Sequence, residues 1–156
     1  MTKLTIEGGS SRKLRRLGVV SSKAGGALRN MRPAMKQVSV FLDAWVQQNF
    51  KTEGGKVGGW DPFKAGGRYV KGVLDTSAKL LQSTGTLRGS YRAFATSNNA
   101  GIGSDLPYAK VHEDGLGVPA RRMLPEGPDV MPEVRDILAS YVEDNITDEL
   151  EKAFKR

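Results

Sequence analysis

The sequence contains no cysteine, a single histidine and no long hydrophobic run. The absence of cysteine excludes a disulfide framework, a thiolate zinc site, an iron–sulfur cluster and a cysteine nucleophile. The single histidine, His112, excludes a histidine-rich metal site. No stretch approaches the roughly 18 apolar residues that span a membrane, and no apolar segment of the secretory type follows Lys3. We therefore expect a protein that is soluble and cytoplasmic when made and has no membrane contact.

Glycine, by contrast, is abundant, with 19 copies among 156 residues. Such a share predicts segments of loose or sharply turned backbone. The length is typical of one domain, and a hydrophobic content of 38% is sufficient for a core. We expect a basic N-terminal arm over residues 1–30 and a single α+β domain over residues 31–156, with a flexible loop at 51–72.

The net charge of +7 is unevenly distributed along the chain. Residues 1–37 carry nine basic side chains and one acidic one, whereas residues 123–156 carry nine acidic and four basic ones. Opposite charge at the two ends favours head-to-tail binding between copies, although a solvated arm and a solvated helix would carry the same charges. A basic excess also permits contact with nucleic acid through the phosphates. The candidate residues for a DNA channel or a charged interface are Arg12, Lys13, Arg15, Arg16, Arg88 and Arg92.

Two long helices are the clearest predicted elements. Apolar residues from Met35 to Trp45 recur at helical spacing, and Pro33 suits a first helical turn, which predicts a helix over 33–50. A broad apolar stripe with acidic residues outside it predicts a second helix over 132–154. The shorter predicted elements are a strand at 3–7, a basic helix at 12–20, a helix at Val73–Gln82, a strand at Thr86–Thr96 that returns at 102–104, and a helical turn at 105–113 capped by Asp105. The expected fold class is α+β, in which the long N-terminal helix and the C-terminal helix pack on a small antiparallel β-sheet.

The Gly-rich loop at 51–72 is the most unusual segment. Loops longer than about 12–15 residues are uncommon in compact domains and tend to be functional or disordered. Its glycine pairs resemble a phosphate cradle, but no strand precedes them and the Lys-Ser/Thr ending of a P-loop is missing. We predict that this loop is an arm that contacts another subunit or a partner ring through Trp60, Phe63 and Tyr69. The alternative is that Trp60 packs on its own domain.

The sequence offers no convincing catalytic set. A triad would need His112 with Ser90 or Ser104, but no nucleophile elbow surrounds either serine. The adjacent carboxylates of Glu113 and Asp114 fall on a turn, where solvation is the ordinary state. We expect no catalytic residues, no metal site and no cofactor, and therefore no enzymatic activity.

Four short motifs follow one another along residues 49–124. They are Asn49-Phe50 with Glu53-Gly54 and Gly59-Trp60-Asp61-Pro62; Leu80-Leu81-x-x-Thr84-Gly85-x-Leu87-Arg88-x-Ser90; Gly103-Ser104 with Tyr108-Ala109-x-x-His112-x-x-Gly115; and Pro119-Ala120-Arg121-x-Met123-Leu124. In this order they resemble the motifs of the phage virion morphogenesis family, the tail-completion and head–tail joining proteins of Mu-like and related tailed phages. The chain departs from the family pattern at Glu113-Asp114, where Gln-Phe is common, and at Met123-Leu124-Pro125, where Phe-Leu-Gly is common.

The resemblance implies a non-enzymatic structural protein of the virion, located at the head–tail junction or the tail end. Related neck and tail-end proteins form rings, often of six copies. The implied partners are therefore copies of the chain, neighbouring neck, tail-terminator or connector proteins, and packaged DNA through non-specific contact. A tail terminator that caps the tail tube is the alternative role, and a basic DNA-binding protein is a more distant one. Arg121 and Arg122 are candidates either for ion pairs at an interface or for a solvated edge. The motif residues expected to be structural are Asn49, Phe50, Thr84, Gly85, Leu87, Arg88, Ser90, Tyr108, His112, Gly115 and Pro119.

Overall fold

A computed structural model describes residues 30–154 of the chain. Its elements are α1 (Arg32–Lys51), a 3-10 turn (Gly55–Val57), β1 (Arg68–Val70), β2 (Val73–Asp75), α2 (Thr86–Ser90), β3 (Arg92–Ala95), β4 (Ala100–Gly103), α3 (Pro107–Asp114) and α4 (Gly127–Phe154). The strand predicted at 3–7, the helix predicted at 12–20 and the basic residues Arg12, Lys13, Arg15 and Arg16 lie outside the described residues.

Helix α1 forms the centre of the fold, as its apolar spacing predicts. Proline occupies its first turn, where a missing N–H costs nothing. One face carries Val38, Leu42 and Val46, which are buried together with Trp45 and Phe50. The hairpin of β3 and β4 and the first part of α4 pack against this helix. The predicted α+β class is therefore confirmed.

The strands of the described residues form two separate antiparallel hairpins, whereas a single small sheet was predicted from the sequence. In the β3–β4 hairpin, Ala93 is opposite Ile102 and Ala95 is opposite Ala100. In the β1–β2 hairpin, Tyr69 is opposite Leu74. The second hairpin falls within and just after the Gly-rich loop, so part of the expected loop is regular structure.

The helix predicted at Val73–Gln82 is wrong. Residues Val73–Asp75 form β2, because Lys71 and Gly72 adopt left-handed φ values of 50° and 84° and turn the chain back on itself. Two left-handed residues in succession are typical of the tight turn of a β-hairpin. The helical spacing of Leu74 and Leu81 is a coincidence, since Leu74 pairs across the hairpin and Leu81 itself has a left-handed φ of 59°.

The strand predicted at Thr86–Thr96 is wrong in its first half. Residues Thr86–Ser90 form the single helical turn α2, which follows Gly85 at a left-handed φ of 71°. Leu87 and Tyr91 are both buried, and their four-residue spacing places them on one side of this turn. The same residues also satisfy the alternating pattern of a strand, so periodicity alone does not separate the two conformations.

Helix α3 begins at Pro107, as expected for proline in a first turn. The predicted cap is wrong: the N-cap residue is Leu106, and no side chain caps this helix. The left-handed Gly115 ends the helix with a φ of 71°.

Helix α4 begins five residues earlier than predicted, at Gly127. The carboxylate of Asp129 accepts a hydrogen bond from the backbone N–H of Glu126 at 2.8 Å, the reciprocal half of a capping box. This cap initiates the helix before Pro132, which lies inside it. A proline near a helix N-terminus thus marks the start imprecisely when a side chain upstream supplies the cap.

Helices α1 and α4 run antiparallel. The segment just before α4 is bonded to the last turns of α1, since Asn49 Nδ2 donates to the carbonyl of Arg122. Further along α4, the hydroxyl of Tyr141 donates to the carbonyl of Asn30 at 3.1 Å, just before α1 begins. Residues 142–154 of α4 therefore extend beyond the N-terminal end of α1 by roughly 20 Å at 1.5 Å per residue.

Candidate functional site

Residues from the first, third and fourth motif blocks meet at the C-terminal end of α1, at a place that we call the motif junction. It consists of Asn49 and Phe50 of α1, the segment 53–61 that follows, Glu113 at the end of α3, and the segment 119–124. The aromatic centre is Phe50, whose ring lies edge-on to Trp60 with the centroids 5.4 Å apart. Tyr91 packs on another side of Phe50 at 5.7 Å.

The chain reverses direction immediately after α1. Glu53 and Gly54 both have left-handed φ values, and the N–H of Gly54 donates to the carbonyl of Asn49 at 2.9 Å. The N–H of Trp60 then donates to the carbonyl of Glu53 at 2.8 Å, which brings the indole back over Phe50. A Cβ atom at position 54 would lie 2.7 Å from the Trp60 backbone nitrogen, so the close approach requires glycine.

Two side chains share the backbone carbonyl of Arg122. Asn49 Nδ2 and Trp60 Nε1 each donate to this oxygen at 3.0 Å. Asn49 is completely buried, and its Oδ1 atom accepts from the N–H of Lys56 at 3.2 Å. Asn49 and Trp60 thereby fix the segment 119–124 against the end of α1.

Glu113 holds the next two residues of the same segment. Its carboxylate accepts from the N–H groups of Met123 and Leu124 at 2.9 and 3.1 Å. Burial raises the pKa of the Glu113 carboxyl above its usual value, and the two backbone N–H groups offset part of that rise. Tyr91 donates to the sulfur of Met123 at 3.4 Å, and burial followed by the charge of Glu113 raises the pKa of its phenol.

Arg121 contributes to the junction from inside. The residue is only 8% exposed, and its Nη2 atom donates to the carbonyl of Asp61 at 3.1 Å while its backbone N–H donates to the carbonyl of His112 at 2.7 Å. Among residues 30–154, no hydrogen-bond partner reaches Arg121 Nε or His112 Nδ1. Burial lowers the pKa of the His112 imidazole, and the charge of Arg121 lowers it further.

Arg122 points its side chain the other way, towards the start of α4. Its Nη1 atom lies 2.8 Å from a carboxylate oxygen of Asp129 and 3.3 Å from one of Glu126. Both ion pairs are formed within one copy of the chain. Since Asp129 also caps α4, Arg122 connects the motif junction to the first turn of that helix.

The second motif lies beside the junction and is bonded internally as well. Arg88 Nε donates to Gln47 Oε1 at 2.6 Å, which ties α2 to α1. The hydroxyls of Ser90 and Ser104 lie 2.6 Å apart, and Leu87 is part of the core. Thr84 contacts Thr86 through their hydroxyls at 2.8 Å.

The remaining predicted residues have varied surroundings. Arg92 is exposed, and its guanidinium donates to the carbonyls of Gly89 and Tyr91. Phe63 is partly buried against the core, so like the buried Trp60 it contacts its own domain. Tyr69, Tyr108 and Pro119 are also exposed. Gly115 lies where a Cβ atom would be 2.9 Å from that of Ala120.

Several important residues were not singled out by the sequence analysis as site residues. Glu53 Oε1 accepts from the N–H of Leu80 at 2.5 Å, and Gln82 donates to the carbonyl of Phe50 at 2.7 Å. Glu113 was noted as a departure from the family pattern and as a carboxylate on a solvated turn, whereas it lies partly buried in α3 and binds two backbone N–H groups. The only feature of the sequence that could have pointed to these residues is that each is a polar residue inside a motif block. Their partners are backbone groups far away in sequence, which no local pattern reveals.

The arrangement is suited to holding a shape. The motif side chains Asn49, Trp60 and Glu113 bind backbone groups of the same chain, and Arg121 does likewise. Within the part of the chain that the structure describes, no group of three histidine or acidic residues is placed to hold a metal ion. The described helices include none with the length and apolar character that a membrane crossing requires.

Comparison with known proteins gives one match. The family model of the phage virion morphogenesis family matches residues 12–143, which cover most of the chain and all four motifs. No curated protein and no solved structure matches the chain significantly.

Proposed function

The chain belongs to the phage virion morphogenesis family, and on that premise we propose that it is a structural protein of the head–tail junction. It is a virion-associated protein of phage assembly. In the proposal, its copies form a ring that helps to join the tail to the DNA-filled head. The observation that carries the proposal is the family match over residues 12–143.

The motif junction supports a role without bond-making chemistry. Its buried polar groups donate to or accept from the backbone of the same copy, and this fixes the segments 53–61 and 119–124 on the end of α1. A body held in this way presents constant surfaces to its neighbours, which a ring of identical subunits requires. Function then depends on fit between surfaces.

Arg88 and Arg92, the described candidates for a DNA channel, do not favour that role. Arg88 and Arg92 are bonded to groups of the same chain, and Arg122 is paired with Asp129 and Glu126. A guanidinium already engaged in this way contributes less to phosphate binding, since the existing contact must be broken first. We therefore propose partners that are proteins.

The experiment is deletion of the coding region from the phage genome, with complementation from a plasmid. We expect complete heads and complete tails that stay separate, visible by electron microscopy of the lysate, and restoration by the wild-type chain. As a matched control, a chain with Gln48→Ala at an exposed position of α1 should complement fully. Normal infectious particles without the protein would refute the proposal.

The tail-terminator alternative is separated by the tails themselves. An open tube end without its cap continues to add subunits, so loss of a terminator should give tails of irregular length. The junction role that we propose predicts tails of uniform length and no head attached. Labelling of the protein on isolated headless tails would favour the terminator.

A further inference from the structure

The β1–β2 hairpin exposes apolar side chains on both of its faces. Tyr69 is 64% exposed and Val73 is 70% exposed, and Val70 and Leu74 are exposed as well. Tyr69 pairs with Leu74 and Val70 pairs with Val73, so each face carries one apolar pair. An isolated two-stranded hairpin is at best marginally stable in water, and stacking against another surface is what normally stabilises it.

The hairpin is also basic. Lys71 forms its tip, Arg68 starts β1, and Lys64 and Lys79 flank the two strands, against a single acidic residue, Asp75. The segment that contains the hairpin is anchored at both ends near the C-terminal end of α1: Asp61 binds Arg121 before it, and Leu80 binds Glu53 after it.

A second apolar surface, which the described residues leave partly uncovered, lies on the distal part of α4. Leu138, Val142 and Ile146 line a shallow groove together with Glu143 and Thr147, and Ile146 is 37% exposed. Over its whole length, α4 carries eight acidic and two basic residues. This surface is therefore apolar with an acidic surround, the complement of the hairpin.

The two surfaces lie at opposite ends of α1. The hairpin segment is anchored at its C-terminal end, and Tyr141 places the groove of α4 beside its N-terminal end. Helix α1 has 20 residues and is thus roughly 30 Å long. Strands of three residues do not bridge that distance, so the hairpin and the groove of one copy are each available to a different copy.

We propose that the β1–β2 hairpin of one copy docks on the distal groove of α4 in the next copy. Tyr69 and Leu74, the apolar pair on one face of the hairpin, cover Val142 and Ile146, and the basic tip lies against Glu143 and its acidic neighbours. Because the two surfaces differ, the contact is head-to-tail, and its repetition gives a ring if the rotation between successive copies closes on itself. The inference rests on the proposed ring and names the surfaces that build it.

The absence of cysteine allows a direct test by cross-linking in solution. Sedimentation velocity first establishes a protein concentration at which the wild-type chain is oligomeric. At that concentration, the full chain with Lys71→Cys and Thr147→Cys is treated with a short bismaleimide cross-linker. We expect a ladder of covalent oligomers on a denaturing gel. A mixture of the two single variants should give covalent dimers, while each single variant alone should give none.

The matched control combines Lys71→Cys with Lys110→Cys, which replaces an equally exposed lysine on α3 and should give no ladder. Dimers from the Lys71→Cys variant alone would show hairpin-to-hairpin contact and overturn the inference. A second variant carries Thr147→Cys and Arg16→Cys. Cross-linking within one copy of this variant would also overturn the inference, because the N-terminal segment would then occupy the groove. A missing ladder in a protein that still sediments as an oligomer refutes this docking alone, whereas a wild-type chain that is always monomeric refutes the proposed ring as well.

Charge reversal gives an independent readout. Lys71→Glu and Glu143→Lys should each weaken association by about two- to five-fold, the range typical of exposed ion pairs. The double variant should recover most of the loss, because the pair is restored with its signs exchanged. Additive weakening in the double variant would contradict the proposed pairing.

Discussion

Asn49 is a completely buried polar residue whose amide is used entirely on the backbone. Its amide nitrogen faces two carbonyl oxygens, those of Arg122 and Met123, and its amide oxygen faces the N–H of Lys56. Only an amide supplies donor and acceptor with this geometry, since aspartate has no donor when ionised. The identity of this residue is therefore set by the backbone around it.

We predict that Asn49→Asp destabilises the protein by about 2 kcal/mol or more, because a carboxylate would face two carbonyls and lose both hydrogen bonds. Urea unfolding followed by tryptophan fluorescence measures the loss. Gln48→Ala, on the exposed side of the same helix turn, serves as the control and should change the free energy of unfolding little. Equal stability of the two variants would contradict the role given to Asn49.

Alanine substitution at two glycines distinguishes the cost of a left-handed backbone from the cost of a steric clash. Gly54 and Gly58 have nearly the same left-handed φ, 89° and 90°, but only at Gly54 would a Cβ atom meet Trp60. Both Gly54→Ala and Gly58→Ala should lose about 1 kcal/mol from the unfavourable φ. Gly54→Ala should lose substantially more in thermal or urea unfolding, and equal losses would show that the indole moves aside freely.

His112 gives the stability a pH dependence with a definite sign. Its pKa in the folded protein lies below the reference value of 6.5, so the unfolded chain binds more protons as the pH falls through that value. The contribution is fully present above about pH 6.5 and is lost towards lower pH. Glu113 acts in the opposite sense, since its raised pKa in the folded protein makes stability fall as the pH rises above 4.5.

We predict that the stability advantage of the wild type over His112→Gln is larger at pH 7 than at pH 5. Comparing the two chains at each pH cancels the contribution of Glu113. Urea midpoints at the two pH values measure the difference. An advantage independent of pH would mean that His112 titrates alike in the folded and unfolded chains.

At the scale of elements, long amphipathic helices were predictable and short segments were not. The spacing from Met35 to Trp45 repeats over many residues, and the observed α1 extends the prediction by one residue at each end. Around Leu87 and Tyr91, by contrast, a few residues satisfy both a strand and a helical turn. Burial against α1 decides between them, and that contact involves residues distant in sequence.

The β1–β2 hairpin depends on Gly67. A Cβ atom at this position would lie 2.5 Å from the carbonyl oxygen of Asp75, across the base of the hairpin. We predict that Gly67→Ala separates the strands and accelerates hydrogen exchange of the β1 and β2 amides, while the thermal midpoint of the core changes little. Gly89→Ala, with nothing within 4 Å of the new Cβ, is the control and should leave this exchange unchanged.

For the whole molecule, the sequence predicted which residues form the site but did not predict what those residues contact. The motifs marked Asn49, Trp60 and Arg121, and the structure brings these residues together. An arm that contacts another subunit was predicted through Trp60, Phe63 and Tyr69, with packing of Trp60 on its own domain as the alternative. Trp60 and Phe63 pack on their own domain, whereas Tyr69 is exposed. The partners are backbone groups some 60 to 70 residues away, such as the carbonyl of Arg122, and no local pattern reveals them.

The separation of charge between the hairpin and α4 predicts that association of copies depends on salt. Screening shortens the range of charge interactions from about 10 Å at 0.1 M salt to about 3 Å at 1 M. The apparent dissociation constant, measured by sedimentation, should therefore rise with salt, and the Lys71→Glu variant should show a weaker dependence. Association that strengthens steadily with salt would indicate that apolar contact dominates.

The carbonyl of Arg122 joins two side chains, of which Asn49 stands 73 residues earlier in the sequence. During translation the hairpin at 68–75 is synthesised well before this carbonyl exists, and the body beneath it is then incomplete. Synthesis at about 5–20 residues per second leaves an interval of several seconds. In the proposed ring, a nascent chain would therefore present its hairpin before its own receiving groove on α4, which lies at residues 138–147, has been synthesised.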